Sequence, residues 1–438
     1  MKRNDLSKVA ITKYDGSLNS IKNGIERING LQGLKPSDNI LIKPNIVWGA
    51  GGSKKIPKFG FITTSRIVEG IVAHLKEMGF DRISIGEGAI ANDEVGSDTM
   101  RGFAWSGIKR ATQKYSIKLV DFNKEPYVKV ELGQSKVDIA KAVLETDFLI
   151  DVPVLKTHAM TKVSLGMKNL KGCLSMKSKK KFHLLDLHEM IALLNTKIVP
   201  DLTVIDGIYA MEQGPTALGR AYRTDLIITS RDVLSCDVVG AMILGVDPAS
   251  VCYLRRFAEI RERPLDTATI EVLGEKLEDV KRPLQWKVDY EDFFNQAGIE
   301  GVTMPWPGDG FCTNCVVCAE FLIASFCKDN AGAKIDRVEY CFGGGSKAKE
   351  ISGKVILFGD CAIRNNESVT GAVKVKGCPP KIVDSMVAMI SHSLDRKRAR
   401  KVLATRMAKG MLNKMGLYHE FFPRPYAYDP PKFDPAHY

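Results

Sequence analysis

Two hydrophobic periods take turns along the first half of the chain. Short apolar or β-branched runs bounded by glycine, proline or charge predict strands at Val9–Lys13, Ile40–Val47, Ile83–Ile85, Ile117–Phe122, Phe148–Leu155, Leu202–Ile205 and Leu226–Thr229. Between them apolar residues recur at helical spacing. Ser20–Ile28 is amphipathic. Thr64 opens a helix in which Ile67, Ile71, Leu75 and Met78 share a face and which Gly79 ends. Ala140–Glu145, Leu184–Leu194 and Val233–Leu244 read as further helices. This alternation predicts an α/β fold with mostly parallel sheet flanked by helices, because parallel strands need crossovers. Ligands in such sheets bind beyond the carboxyl ends of the strands. Polar residues placed there become candidates.

The pattern fades after Arg263. The expected organisation is an α/β region over 1–263 containing an anion-binding cleft, a connector over 264–307, a small cysteine-rich α+β domain over 308–393, and a basic helix with a Pro/Tyr-rich tail over 394–438. In that last helix Leu403, Met407, Met411 and Met415 form one stripe, expected to pack on its own domain. A second basic run, Lys177–Lys181, is expected in a loop.

Three segments are too polar for places after buried strands: Lys43-Pro44-Asn45, Asp151–His158 and Ser164–Gly172. Lys43, Lys156 and Lys168 are positioned to converge on a carboxylate or phosphate, with Asn45 and Asn169 supplying directional hydrogen bonds. His158 is a candidate acid or base. Glu87, between Gly86 and Gly88, places a carboxylate at the same edge, and Asp206 and Asp237 are further acidic candidates. The bland alternative, lysines at strand ends because solvent is there, suits any one of them better than the set.

Ten cysteines change the picture. Cys173, Cys236 and Cys252 are scattered, but seven lie between Cys312 and Cys378. Cys312, Cys315 and Cys318 make two overlapping C-x2-C spacings, which let neighbouring sulfurs turn toward one metal centre. Cys361 follows a strand and a glycine turn. Cys378 precedes Pro379 and Pro380, as cysteines at cluster ligands often precede proline. Cys312, Cys315, Cys361 and Cys378 form the expected ligand set for one [4Fe–4S] cluster, with Cys318 the first substitute; a structural zinc is the alternative. Cys327 and Cys341 are expected to pack as small apolar residues.

The chain has 438 residues, a formal net charge of +12 and 45% hydrophobic residues, which suits an ordinary globular protein with acidic or anionic partners. No aromatic-interleaved or helix-turn-helix signature supports nucleic acid. No apolar run reaches the roughly 20 residues of a spanning helix, and the opening residues carry no secretory pattern. The expected compartment is therefore the cytoplasm, where cysteines serve metals more than disulfides.

Leu41–Asn45, Val154–His158, Gly166–Gly172 and Gly377–Pro380 together resemble the family called domain of unknown function 362, over roughly Leu41 to Pro248. The resemblance implies a cluster-binding extension in some members, and a fold distantly similar to nickel-dependent lactate racemase, with a substrate cleft in α/β domains. It names no reaction. The leading expectation is an iron–sulfur oxidoreductase acting on a small anionic substrate in a cleft lined by Lys43, Asn45, Glu87, Lys156, His158, Lys168 and Asn169. Glu87, Lys156 and His158 are its expected catalytic groups. The alternatives are a lyase or isomerase using the cluster as Lewis acid, and a non-enzymatic electron carrier docking an acidic redox partner through Lys177–Lys181 and the tail.

Overall fold

A computed structural model describes residues 6–49, 58–91, 97–214, 219–308, 311–349, 353–414 and 432–438, the side chains at 313, 314, 317 and 409–414 excepted. The chain divides into two compact units, one of Met1–Trp286 with Tyr428–Tyr438, the other of Lys287–Ala427.

The strands in chain order are β1 (Ser7–Lys13), β2 (Ile40–Pro44), β3 (Ile83–Glu87), β4 (Lys118–Asp121), β5 (Tyr127–Leu132), β6 (Ser135–Ala140), β7 (Phe148–Val152) and β8 (Val154–His158). They continue with β9 (Lys162–Ser164), β10 (Leu202–Glu212), β11 (Arg220–Ser230), β12 (Ile270–Gly274), β13 (Glu300–Thr303), β14 (Lys334–Phe342), β15 (Lys354–Phe358) and β16 (Val373–Val375).

The large unit is built on one sheet in the order β12-β1-β11-β10-β7-β2-β3-β4, with β8 and β9 joined at β10. Most neighbours are parallel; β11 runs antiparallel to both β1 and β10. The strands are apolar on both faces because helices cover both. Ile40, Ile42, Ile85, Ile150 and Val152 lie in one apolar cluster, and Leu41, Leu149, Ile205 and Ile228 in another. The helix Ser65–Glu77 shows how position is fixed. Ile67, Val68, Ile71, Val72 and Leu75 are buried, Gly79 leaves the helix at φ +85°, and the Asp206 carboxylate on β10 accepts the N–H of Thr64 at 2.6 Å.

Two expectations need correction here. The expected strand Phe148–Leu155 is two strands, because Pro153 has no N–H for a ladder and breaks it. Lys177–Lys181 is not a loop but part of the helix Met176–Leu184. Its start is capped by the Ser175 hydroxyl, which accepts from Ser178 N.

The segment expected as a connector carries structure of both units. β12 pairs in parallel with β1 of the large sheet, while the helix Tyr290–Gln296 and β13 belong to the small unit. That unit mixes helices with four strands, β13-β14-β15-β16, all parallel. The helix Thr313–Asn330 crosses from β13 to β14, and Asp360–Asn365 from β15 to β16. Within the same unit, Arg406 of the basic helix Arg396–Lys414 bonds Asp329 at 2.5 Å and the Ser325 carbonyl at 2.9 Å. Met407 is exposed, so the expected apolar stripe does not seat that helix; the Met411 side chain and Met415 lie outside the described residues. Of the tail, residues 432–438 pack on the large unit, where Tyr209 Oη meets His437 Nδ1 at 2.8 Å; residues 415–431 lie outside those described. No helix among the described residues is long and apolar enough to cross a membrane.

Candidate functional site

The strand-end residues of the large unit form two groups of different charge. The first is a closed buried network. Lys43, at the end of β2, donates to Glu87 Oε2 at 2.8 Å, Asn169 Oδ1 at 3.2 Å and the Pro44 carbonyl at 3.0 Å. Glu87 also accepts from Ile46 N at 3.2 Å and Gly88 N at 2.8 Å. Asn169 Nδ2 donates to Asp151 Oδ1 at 2.8 Å. Burial alone disfavours the Lys43 ammonium. The charges of Glu87, Cys173 and Asp151 and the hydrogen bond to Glu87 outweigh it, so its pKa lies above the ordinary lysine value. Asp151, fully buried, is pushed up to about 7, chiefly by burial and against the pull of Lys43; its Oδ2 has no hydrogen-bond partner. Cys173 sits against the same network with its thiol pushed by burial to about 12.

Gly172 is why this network closes. A Cβ there would lie 2.2 Å from Glu87 Oε1 and 2.6 Å from Lys43 Nζ, so only glycine lets the backbone pass. Gly172→Ala should cost about 1–3 kcal/mol by overpacking, read as a lower denaturation midpoint.

The second group is cationic. Lys156 and His158 share one face of β8, two residues apart. β9 returns antiparallel beside them, Lys156 opposite Ser164 and His158 opposite Lys162. The chain then enters the helical turns Gly166–Asn169 and Leu170–Cys173, which bear Lys168 and Lys171. Asp237 holds this turn in place, accepting from Gly166 N at 2.7 Å and Met167 N at 3.0 Å. Lys156 donates to the Phe61 carbonyl at 2.9 Å, which also accepts from Asn45 Nδ2 at 3.0 Å.

These cations depress one another. Lys156 is lowered to about 7, first by burial. Lys168 lies well below the usual lysine value, from burial and then from Lys171 and Lys156. His158 is likewise far below its ordinary value, by burial and the charges of Lys168, Lys156, Lys171 and His183. Its Nδ1 accepts the Met160 N–H at 3.1 Å. The neutral ring therefore carries its proton on Nε2, and that buried atom has no hydrogen-bond partner among the described residues.

The expected cleft residues are thus brought together, but in different employment. Lys43 bonds Glu87 and Asn169; Asn45 braces Lys156; Lys156, which feels Glu87, stands with His158 and Lys168 among cations that lower one another. Asp151, Lys171 and His183 were not singled out by the sequence. The spacing of Lys168 and Lys171, three residues apart on one helical turn, was the available signal for Lys171. Nothing local marks His183.

In the small unit, Cys312 caps the helix Thr313–Asn330. Cys315 as well as Cys318 therefore lies on the helix, where only Cys318 was expected. The Cys315 thiol is pushed far up by a hydrogen bond with Cys312, then burial, then the charges of Cys312, Cys318 and Cys378. Cys361 is absent from those influences. It lies on the helix Asp360–Asn365, and its sulfur accepts a hydrogen bond from Arg364 at 3.4 Å. Cys341 is fully buried and Cys327 half-buried, its thiol donating to the Phe293 carbonyl. As a donor set, Cys315 and the three thiols that act on it are of the type that would hold a thiolate-bound cluster. Among the described residues no three His, Cys, Asp or Glu side chains stand grouped as ligands of a single ion.

Residues 40–242 match the sequence family described as Domain of unknown function (DUF362). The chain is 28% identical over 242 residues to a thylakoid-associated protein of Synechocystis sp., the match covering 53% of this chain and 72% of that one. Among solved structures it resembles a lactate racemase apoprotein from Thermoanaerobacterium thermosaccharolyticum, at 13% identity and TM-score 0.33. It also resembles a Thermotoga maritima protein at 13% identity and TM-score 0.32. These two alignments span 58% and 59% of the solved chains.

Proposed function

We propose that this chain is an iron–sulfur oxidoreductase. Its small unit would hold one [4Fe–4S] cluster through Cys312, Cys315, Cys318 and Cys378, and its large unit would bind a small anionic substrate among Lys156, His158 and Lys168. The observation that carries the reading is the placing of Cys312 at the start of the helix Thr313–Asn330 with Cys315 and Cys318 on its first turns, where Cys312, Cys318 and Cys378 all act on the buried Cys315 thiol. Two C-x2-C spacings and a distant cysteine before proline accord with the thiolate runs of bacterial ferredoxins, and Cys318 takes the place first given to Cys361. The helix N-terminus beside Cys315 favours the negative charge that thiolates bring. When bound, such a cluster supplies one-electron transfer.

The chain's own residues do the rest. Lys156 and Lys168 neutralise the anion. Asn45 and the Phe61 carbonyl fix the approach of Lys156, and Asp237 clamps the turn that carries Lys168. His158 presents Nε2–H, so in its resting neutral form it donates a hydrogen bond to the anion rather than a proton. Glu87 and Lys43 hold the strand ends in register around this group. An acidic redox partner suits the net charge of +12, with Lys177 and Lys180 exposed to meet it; Lys179 instead donates inward to the Gly88 carbonyl.

Sulfate, dianionic at all relevant pH, tests the anion site. In the free protein Lys156 has a pKa of about 7, and a bound anion raises it. Above that pH, binding takes up a proton. Sulfate affinity should therefore fall as pH rises past 7, by up to about tenfold per unit for this one lysine. Calorimetric titration across the range checks it, and an affinity unchanged between about pH 7 and 9 would contradict the role of Lys156.

A further inference from the structure

We propose that the anion taken by the large unit is of the phosphate class, a phosphoryl group or another tetrahedral dianion, and that Lys171 and His183 are part of its site; this rests on the anion-binding reading above.

Lys171, half-buried, reaches from the turn Leu170–Cys173 to His183 on the helix Met176–Leu184, Nζ to Nε2 at 3.1 Å. The His183 ring therefore accepts from an ammonium, and its Nδ1 is buried without a partner. His158 Nε2 on β8 is buried and unpartnered as well. Five nitrogen-bearing side chains from four elements, Lys156, His158, Lys168, Lys171 and His183, are thus electrostatic neighbours. Among the described residues no carboxylate contributes to the charge felt by Lys168 or His183, while Glu87 acts on Lys156. The fold gathers buried lysine and histidine nitrogens whose protonated forms suppress one another, and a bound anion would favour those protonated forms.

The number and kind of donors choose the class. A monocarboxylate spreads one charge over two oxygens. A phosphoryl group carries about −1.5 to −2 at neutral pH over three strong acceptor oxygens, which matches three ammonium groups and an Nε2–H. The planar fork of arginine serves carboxylate and phosphate alike, and lysine binds phosphate as a point charge. The five side chains include no arginine.

The test is calorimetric titration of the full chain with inorganic phosphate and, separately, with acetate, on wild type and on Lys171→Gln, its folding checked by circular dichroism. Phosphate should bind at least about tenfold more tightly than acetate, and Lys171→Gln should lose at least about tenfold in phosphate affinity. Acetate binding as tightly as phosphate would overturn the phosphate class while leaving the anion site standing. Phosphate binding unchanged in folded Lys171→Gln would remove Lys171 from the site. Binding of neither anion to wild type would overturn this inference together with the reading it rests on. The wild-type comparison decides the ligand class whether or not the variant folds.

Discussion

Serine at Cys318 should strip most of the iron from the protein, and serine at Cys361 should leave it in place. The two cysteines separate two ligand sets that the sequence left open. The Cys315 thiol feels Cys318 and Cys378 as well as Cys312, while Cys361 lies beside the Arg364 guanidinium. A cluster held by four thiolates loses affinity when one becomes a hydroxyl, which stays protonated and is a harder, weaker ligand for iron. Serine at Cys312, Cys315 or Cys378 should act like serine at Cys318, each variant retaining well under half of the wild-type iron per chain. Retention of full iron by Cys318→Ser with loss in Cys361→Ser would restore the set first expected from sequence.

The second large effect is on stability. Glu87→Gln should destabilise the large unit by about 3–5 kcal/mol, because it leaves the Lys43 ammonium buried without its anion. Both side chains are almost wholly inaccessible, 0% and 3% exposed, with the charged atoms 2.8 Å apart. Replacing both members, as Lys43→Met with Glu87→Leu, should recover much of that loss, since two apolar groups owe no desolvation cost. The pair itself makes little pH dependence near neutrality. The Lys43 pKa is raised, so its contribution is complete below the ordinary lysine value and is lost only as pH rises through the folded one. Asp151 acts in another window. Raised to about 7, it adds stability at acid pH that is lost as pH climbs from about 4 toward 7. Urea unfolding of the single and double variants reads the pair directly, and a double variant no more stable than Glu87→Gln would contradict the ion-pair account.

Much of this architecture was legible in sequence because it rests on local patterns. The helix from Thr64 to Gly79 and the existence of strands starting at Ile40, Ile83 and Phe148 follow from periodicity, glycine and proline, whereas their ends and the break at Pro153 do not. What escaped depends on distant partners. The hairpin of β5 and β6 is the exception: Val128, Val130 and Leu132 alternate with Lys129 and Glu131, and Val137 and Ile139 with Lys136 and Asp138, a local signal that was there to read. The antiparallel insertion of β11 between β1 and β10 is decided by pairing across the sheet, which no window of sequence contains. The same holds for the site. The recurrence of lysines after strands suggested one anion cleft, but only the fold separates Lys43, paired with Glu87, from Lys156 and Lys168, which form no ion pair among the described residues. His183 enters through a helix that looked like a basic loop. Cys361 was chosen because it follows a strand and a glycine turn, and its place on the helix Asp360–Asn365 beside Arg364 was not written in the spacing.

Iron, acid-labile sulfide and zinc content of anaerobically purified protein, with EPR spectra before and after dithionite, bears most directly on the cluster. About four irons and four sulfides per chain, with a signal from one unpaired spin appearing on reduction, is the expected result. Stoichiometric zinc without iron or sulfide would contradict it and leave the cysteines as a structural site.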